Sequence, residues 1–214
     1  MPVAVFPLGP LEVNSYLLCR EDASPGNREA VAIDVGGDPS GMLAWLEEHD
    51  ARLAAVCLTH RHFDHLYGVA ELARATAAPV YAPVEDDVLA ETESGKGGIW
   101  GFPPVPPFAS QPLPPGKCAF AGMECVVLET PGHTPGGVSL YFPEQGIVFT
   151  GDVLFYRSIG RTDFPLGEHA ALLRSIHEKL FTLPADTLVY PGHGPETSIG
   201  DEIKNNPFCG EYAR

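Results

Sequence analysis

Apolar residues pattern the stretches around Val3–Leu8 and Val13–Cys19, and the Gly9-Pro10 turn between these runs predicts two adjoining strands. A third run, Ala30–Val35, ends in Gly36-Gly37, so the chain opens as a β-meander. After Pro39-Ser40 the period changes: Met42, Leu43, Trp45 and Leu46 recur at helical spacing. Leu53–Leu58 is apolar throughout, which predicts a fully buried strand. Helical spacing returns over Leu66–Ala75, followed by a short strand at Val80-Tyr81 and a short helix from Glu85 to Leu89.

Regularity stops at Ser94–Gly116, where glycines at 95, 97, 98 and 101 precede prolines at 103, 104, 106, 107, 112, 114 and 115. That density of breakers predicts a long loop with no regular element. It reads as a loop inside one domain, since the chemistry before it needs residues after it. Beyond it, strands are predicted at Glu124–Leu128, Val138–Phe142, Ile147–Thr150 and Thr187–Tyr190, with a helix over His169–Leu180. Strands interleaved with helices point to an α/β fold of packed layers.

Composition narrows the class. With 214 residues, 44% of them apolar, the chain suits one compact domain over residues 1–214. No apolar run approaches the roughly 18 residues of a membrane span, and Met1-Pro2-Val3-Ala4-Val5 lacks the basic start of a signal peptide. A soluble, cytoplasmic protein is expected. Five cysteines without a CxxC pair argue for buried reduced thiols, not a disulfide framework or a cysteine zinc site. A formal charge of −15 with no Lys/Arg cluster excludes nucleic acid as the expected partner.

The chemistry concentrates in Thr59-His60-Arg61-His62-Phe63-Asp64-His65, directly after the apolar strand. Alternate residues of an extended segment share a face, so His60, His62 and Asp64 are expected to point one way, with a turn at Asp64-His65 bringing His65 round. A catalytic metal site takes about three protein ligands plus water. Three further loops each offer one donor beside a strand: His133 in Thr130-Pro131-Gly132-His133, Asp152 in Thr150-Gly151-Asp152, and His193 in Pro191-Gly192-His193-Gly194. Glycine before each donor, preceded by proline at His133 and His193, allows tight turns that aim it. Seven donors suffice for two ions. His49, His169 and His177 lie on or at the ends of predicted helices and read as surface residues.

The run His60, His62, Asp64, His65 resembles the His-x-His-x-Asp-His signature of the metallo-β-lactamase superfamily, and the likeness extends to Pro191-Gly192-His193-Gly194. The resemblance implies a four-layer αβ/βα sandwich of two mixed sheets flanked by helices. Gly151–Phe155, Ser158–Pro165 and Asn206-Pro207-Phe208 look like the short glyoxalase II-like branch, the hydroxyacylglutathione hydrolases, without the extra C-terminal helical region of full-length glyoxalase II. By that resemblance His60, His62 and His133 bind one divalent ion, Asp64, His65 and His193 a second, and Asp152 bridges both. Zinc is the first expectation for the metal, with iron or manganese as alternatives. Arg161 and Phe164 are implied substrate contacts, and an internal salt bridge from Arg161 to Asp163 is the competing role. Lys96, Trp100, Phe102 and Phe108 make the long loop a candidate substrate wall. The implied reaction is hydrolysis of a small-molecule thioester, S-lactoylglutathione or another S-acyl-glutathione, by a metal-activated water that Asp64 helps orient. A mononuclear iron persulfide dioxygenase shares a segment like Gly160–Phe164. That activity, a lactonase and a non-catalytic metal-binding scaffold are the alternatives.

Overall fold

The computed structural model describes residues 3–20, 28–99 and 101–213. The chain divides into two compact units, one of residues 1–113 and 119–123, the other of residues 114–118 and 124–214.

The first unit is built on a six-stranded mixed sheet in the order β1 (Val3–Leu8), β2 (Val13–Cys19), β3 (Arg28–Ile33), β4 (Ala51–Cys57), β5 (Val80–Ala82), β6 (Gln111–Pro112). The predicted meander is the antiparallel part, β1 to β3, and β3 to β6 run parallel. Parallel neighbours need a crossover, and helices α1 (Ser40–Glu48) and α2 (Val69–Thr76) supply it. Both helices pack on β4, burying Met42, Leu46, Val69 and Leu72 with Leu17, Val56 and Leu58 in one core. Asp38 starts α1 by accepting from the Ser40 N–H at 2.9 Å. His49 ends it, its ring stacked 3.9 Å from that of Trp45. His49 is half-buried, so the surface expectation holds for it only in part.

Two expectations here need correction. The helix expected over Leu66–Ala75 is α2 alone, preceded by a separate 3-10 turn at Phe63–His65. The Gly/Pro-rich segment is not devoid of regular structure: it contains a one-turn helix, α3 (Glu93–Lys96), and the strand β6. Local hydrogen bonds explain this. Thr92 Oγ1 accepts from the Gly95 N–H at 3.3 Å, and the Val105 N–H donates to the Lys96 carbonyl at 2.8 Å. Phe102 lies 5.3 Å from the Phe63 ring, and Phe108 packs on the first unit's core. Trp100 lies outside the described residues.

A second mixed sheet, which belongs to the second unit except for residues 119, 120 and 123 at one end of its last two strands, is ordered β14 (Thr197–Ser198), β13 (Leu188–Pro191), β10 (Ile147–Gly151), β9 (Val138–Phe142), β8 (Met123–Glu129), β7 (Gly116–Phe120). A small hairpin of β11 (Leu154–Phe155) and β12 (Ser158–Ile159) follows β10. Helix α4 (His169–Ser175) continues as a π-turn over Ile176–Leu180, so the helix predicted for His169–Leu180 has the right extent and changes its winding part-way. With α5 (Ile199–Asn205) it buries Leu172, Ile176, Leu180 and Ile199 on Val148 and Val189. His169 and His177 are exposed, as expected. Strands β7, β11, β12 and β14 and helix α5 had no counterpart in the sequence pattern. Two mixed sheets with helices make this an α/β fold. No helix among the described residues is long and apolar enough to cross a membrane.

Candidate metal centre

In the first unit β4 delivers the histidine run. His62 is extended, at φ −73° and ψ 141°, and the chain then winds into the 3-10 turn. His60 and His62 come together, as expected. Asp64 departs from the expected extended run, because it sits on the turn and reaches the group by winding. His60, His62 and His65 are all buried. The His60 ring lies 4.8 Å from that of His62 and 4.2 Å from that of His65, centroid to centroid. Asp64 Oδ2 stands 3.9 Å from His65 Nε2. Arg61 points the opposite way, donating to Ser110 Oγ at 2.8 Å while its backbone N–H donates to buried Asp86 at 3.1 Å.

Asp34, a residue the sequence reading passed over, sets the ring orientations. It is buried, at the C-terminal end of β3, with φ 51°. Its carboxylate accepts from the Thr59 N–H at 2.8 Å, from Thr59 Oγ1 at 2.7 Å and from His65 Nδ1 at 2.9 Å. Since the Thr59 hydroxyl proton goes to Asp34, its oxygen accepts from His60 Nδ1 at 3.0 Å. Both rings thus carry their proton on Nδ1 and present the Nε2 lone pair. Asp34, His60 and His65 could together hold an ion, their ligand atoms lying within 4.8 Å of one another. Three donors already occupy the Asp34 oxygens, so its role is that of the carboxylate behind the ligand.

In the second unit three loops converge on Asp152. His133 follows β8 on a turn made by Gly132, at φ 133°, where a Cβ would stand 2.2 Å from the Leu172 nitrogen. His133 Nδ1 donates to the Arg161 carbonyl at 2.7 Å, again leaving Nε2 as the ligand atom. Asp152 follows β10 and His193 follows β13, and the Gly192 N–H ties the two loops by donating to the Gly151 carbonyl at 2.9 Å. Asp152 Oδ2 lies 3.5 Å from His133 Nε2 and 3.6 Å from His193 Nε2. These separations exceed a direct N–H···O bond. Two donors each about 2.1 Å from one ion at a tetrahedral angle stand about 3.4 Å apart. The donor set therefore fits divalent cations, with Asp152 between two histidines.

The segment linking Asp152 to Arg161 is fastened by a network that sequence reasoning also missed. Glu202, fully buried on α5, accepts from the Arg157 N–H at 3.0 Å, Arg157 Nη1 at 2.6 Å, Thr197 Oγ1 at 2.7 Å and Asn206 Nδ2 at 2.8 Å. Asn206 Nδ2 also donates to the Ser158 carbonyl at 3.0 Å. This gives Asn206, noticed in the sequence only as a family trait, a structural task. Gly160 presses on the Asp152 carbonyl so closely that a Cβ there would lie 1.9 Å from it. Arg161 itself points to solvent. Its guanidinium grips Asp163 through two bonds of 2.7 and 2.8 Å and lies 4.0 Å from the Phe164 ring centre. That pairing holds the Asp163 carboxyl down at about 2.

A family model for the metallo-β-lactamase superfamily matches residues 8–193. The chain belongs to that superfamily. Among curated relatives, the hydroxyacylglutathione hydrolase GloC of Haemophilus influenzae is 33% identical over 97% of this chain and 98% of its own. Among solved structures, the B3 metallo-β-lactamase BLEG-1 superposes with a TM-score of 0.89 at 37% identity, covering 97% of this chain and 99% of that one. TTHA1623 in a di-iron-bound form superposes with a TM-score of 0.84 at 40% identity, covering 96% of this chain and 99% of its own. The family and the α/β fold expected from the histidine run are borne out, and membership supports a metal-binding hydrolase.

Proposed function

We propose that this chain hydrolyses a small-molecule thioester, S-lactoylglutathione or another S-acyl-glutathione, to a hydroxy acid and a free thiol. The observation that carries the reading is the end-to-end likeness to GloC, whose described activity is of this kind. We assign His60, His62 and His133 to one divalent ion, Asp64, His65 and His193 to a second, and Asp152 to both, within a single domain. Zinc is the metal we favour, and the di-iron form of TTHA1623 keeps iron as an alternative. Divalent ions bound there would supply Lewis acidity and bring the pKa of a water toward about 7.

The chain's own residues do the rest. Asp34 and Thr59 hold the His65 and His60 rings with Nε2 outward, so ligation needs no ring rearrangement. Asp64 accepts a hydrogen bond from the attacking water and orients it. Arg161, with Phe164 beneath it, meets a carboxylate of the substrate, exchanging its bond to Asp163 for one to the ligand. A thiolate leaves without a protein acid, since its conjugate acid has a pKa of about 8.5. The cytoplasm is the location that suits this substrate.

BLEG-1 favours a second reading, opening of a β-lactam, because the same attack on an acyl carbon serves both. The test is elemental analysis of the purified chain followed by turnover on S-lactoylglutathione, other S-acyl-glutathiones, a glutathione-free thioester, a lactone, a β-lactam and, with oxygen uptake recorded, glutathione persulfide. Cleavage of S-lactoylglutathione or another S-acyl-glutathione well above the remaining substrates is the expected result. A metal-loaded chain that leaves S-lactoylglutathione and other S-acyl-glutathiones intact overturns the proposal, whether it opens the lactam or lactone, consumes oxygen, or turns over nothing and acts as a scaffold.

A further inference from the structure

The hairpin of β7 and β8 turns through Ala121-Gly122, whose φ angles of 50° and 70° are those of a two-residue type I′ loop. Counting outward from that loop pairs Phe120 with Met123 and, two rungs further on, Cys118 with Cys125. Rungs alternate in kind, so the cysteine rung shares the hydrogen-bonded type of the first, with Cα atoms about 5.5 Å apart. That is close to the commonest separation across a disulfide. The thiol positions agree with this register: Cys118 Sγ donates to the Cys125 carbonyl at 3.6 Å.

We propose that Cys118 and Cys125 are a dithiol site that closes reversibly to a cross-strand disulfide by exchange with a low-molecular-weight disulfide. Cys118 is the partly exposed member and the attacking one, and Cys125 is buried behind it. A hydrogen bond with the Cys125 thiol holds Cys118 below the usual thiol range, which favours the thiolate. Cys19, Cys57 and Cys209 are buried instead, and burial pushes Cys209 up to about 12. The Cys118 thiolate attacks one sulfur of the small disulfide and expels one thiolate, leaving a mixed disulfide. Cys125 gives up its proton and attacks the Cys118 sulfur, expelling the second thiolate. The chain loses two protons and two electrons, and the small disulfide takes them up as two thiols. The site is independent of the proposed hydrolysis.

The experiment treats the full chain with oxidised glutathione, blocks residual thiols and maps the products by mass spectrometry. Cleavage after Glu124 separates the two cysteines unless they are bridged. Wild type is expected to lose two hydrogens, keep three blockable thiols and yield one peptide pair joined through Cys118 and Cys125. Cys125→Ala, which adds no buried hydroxyl, is expected to accumulate a single glutathione adduct on Cys118. A wild type that stays unmodified, retains a stable adduct on Cys118 or bridges another pair overturns the proposal, and the wild-type map decides even if the variant folds poorly.

Discussion

At the scale of single residues, Asp34 and Asp64 flank His65 and are asked to do different things. Asp34 holds the Nδ1 side of the ring at 2.9 Å, while Asp64 stands 3.9 Å from Nε2, on the ligand side. A carboxylate behind a ligating histidine is worth about 10–100-fold in metal affinity. Asp34→Asn is therefore expected to weaken binding by that factor in a competitive chelator titration while turnover at saturating metal changes little. Asp64→Asn is expected to lower turnover by about 100-fold or more even when metal is restored, the size of effect seen when a group that positions a reacting proton is lost. Equal behaviour of the two variants would remove the distinction. Asp64 was visible in the sequence because it lies between histidines at ligand spacing. Asp34 was not, because an aspartate before Val35-Gly36-Gly37 looks like any strand-ending turn residue. Its partners Thr59 and His65 lie 25 and 31 positions away, a separation that periodicity does not register.

At the scale of elements, the β11–β12 hairpin and α5 act as a strut behind His133 and Asp152. Residue 157, at the hairpin turn with φ 55°, is tied to α5 by Glu202, and the strand that follows leads through Gly160 to the carbonyl that holds His133. Replacing Glu202 by Gln removes the charge from a fully buried acceptor of four donors, with Arg157 keeping 30% side-chain exposure as partial relief. Hydrogen bonds to a charged group are worth about 1.5–3 kcal/mol each, and relaxation recovers part of that. We expect a loss of about 2 kcal/mol, read as a fall of roughly 4–8 °C in melting temperature. An unchanged melting temperature would show that the network carries no net stability. These elements were the illegible part of the fold. β11, β12 and β14 are two residues each, too short to display a period, and α5 hides its apolar positions among Gly200, Asp201 and Lys204. The long strands and the amphipathic helices were legible because burial constrains six or more consecutive residues, alternately in β8 and throughout in β2.

At the scale of the whole molecule, the family match runs from residue 8 to 193 and so takes in both compact units. The proposed ligands divide between them, with His60, His62, Asp64 and His65 in the first and His133, Asp152 and His193 in the second. An ion bound only by the folded chain stabilises it by about 4 kcal/mol when present at a thousand times its dissociation constant. For a chain of this length that is roughly 8–16 °C in melting temperature. If both units contribute ligands to the same ions within one domain, calorimetry of the metal-loaded chain should record one transition, and a chelator should lower that transition by this amount without splitting it. Two transitions, of which the chelator moves one, would assign the metal to a single unit and break the proposed ligand set. The formal charge of −15 sharpens the expectation: with Asp64 and Asp152 among the donors, removing the cations leaves both carboxylates in a strongly negative chain, so the destabilisation should grow as ionic strength is lowered.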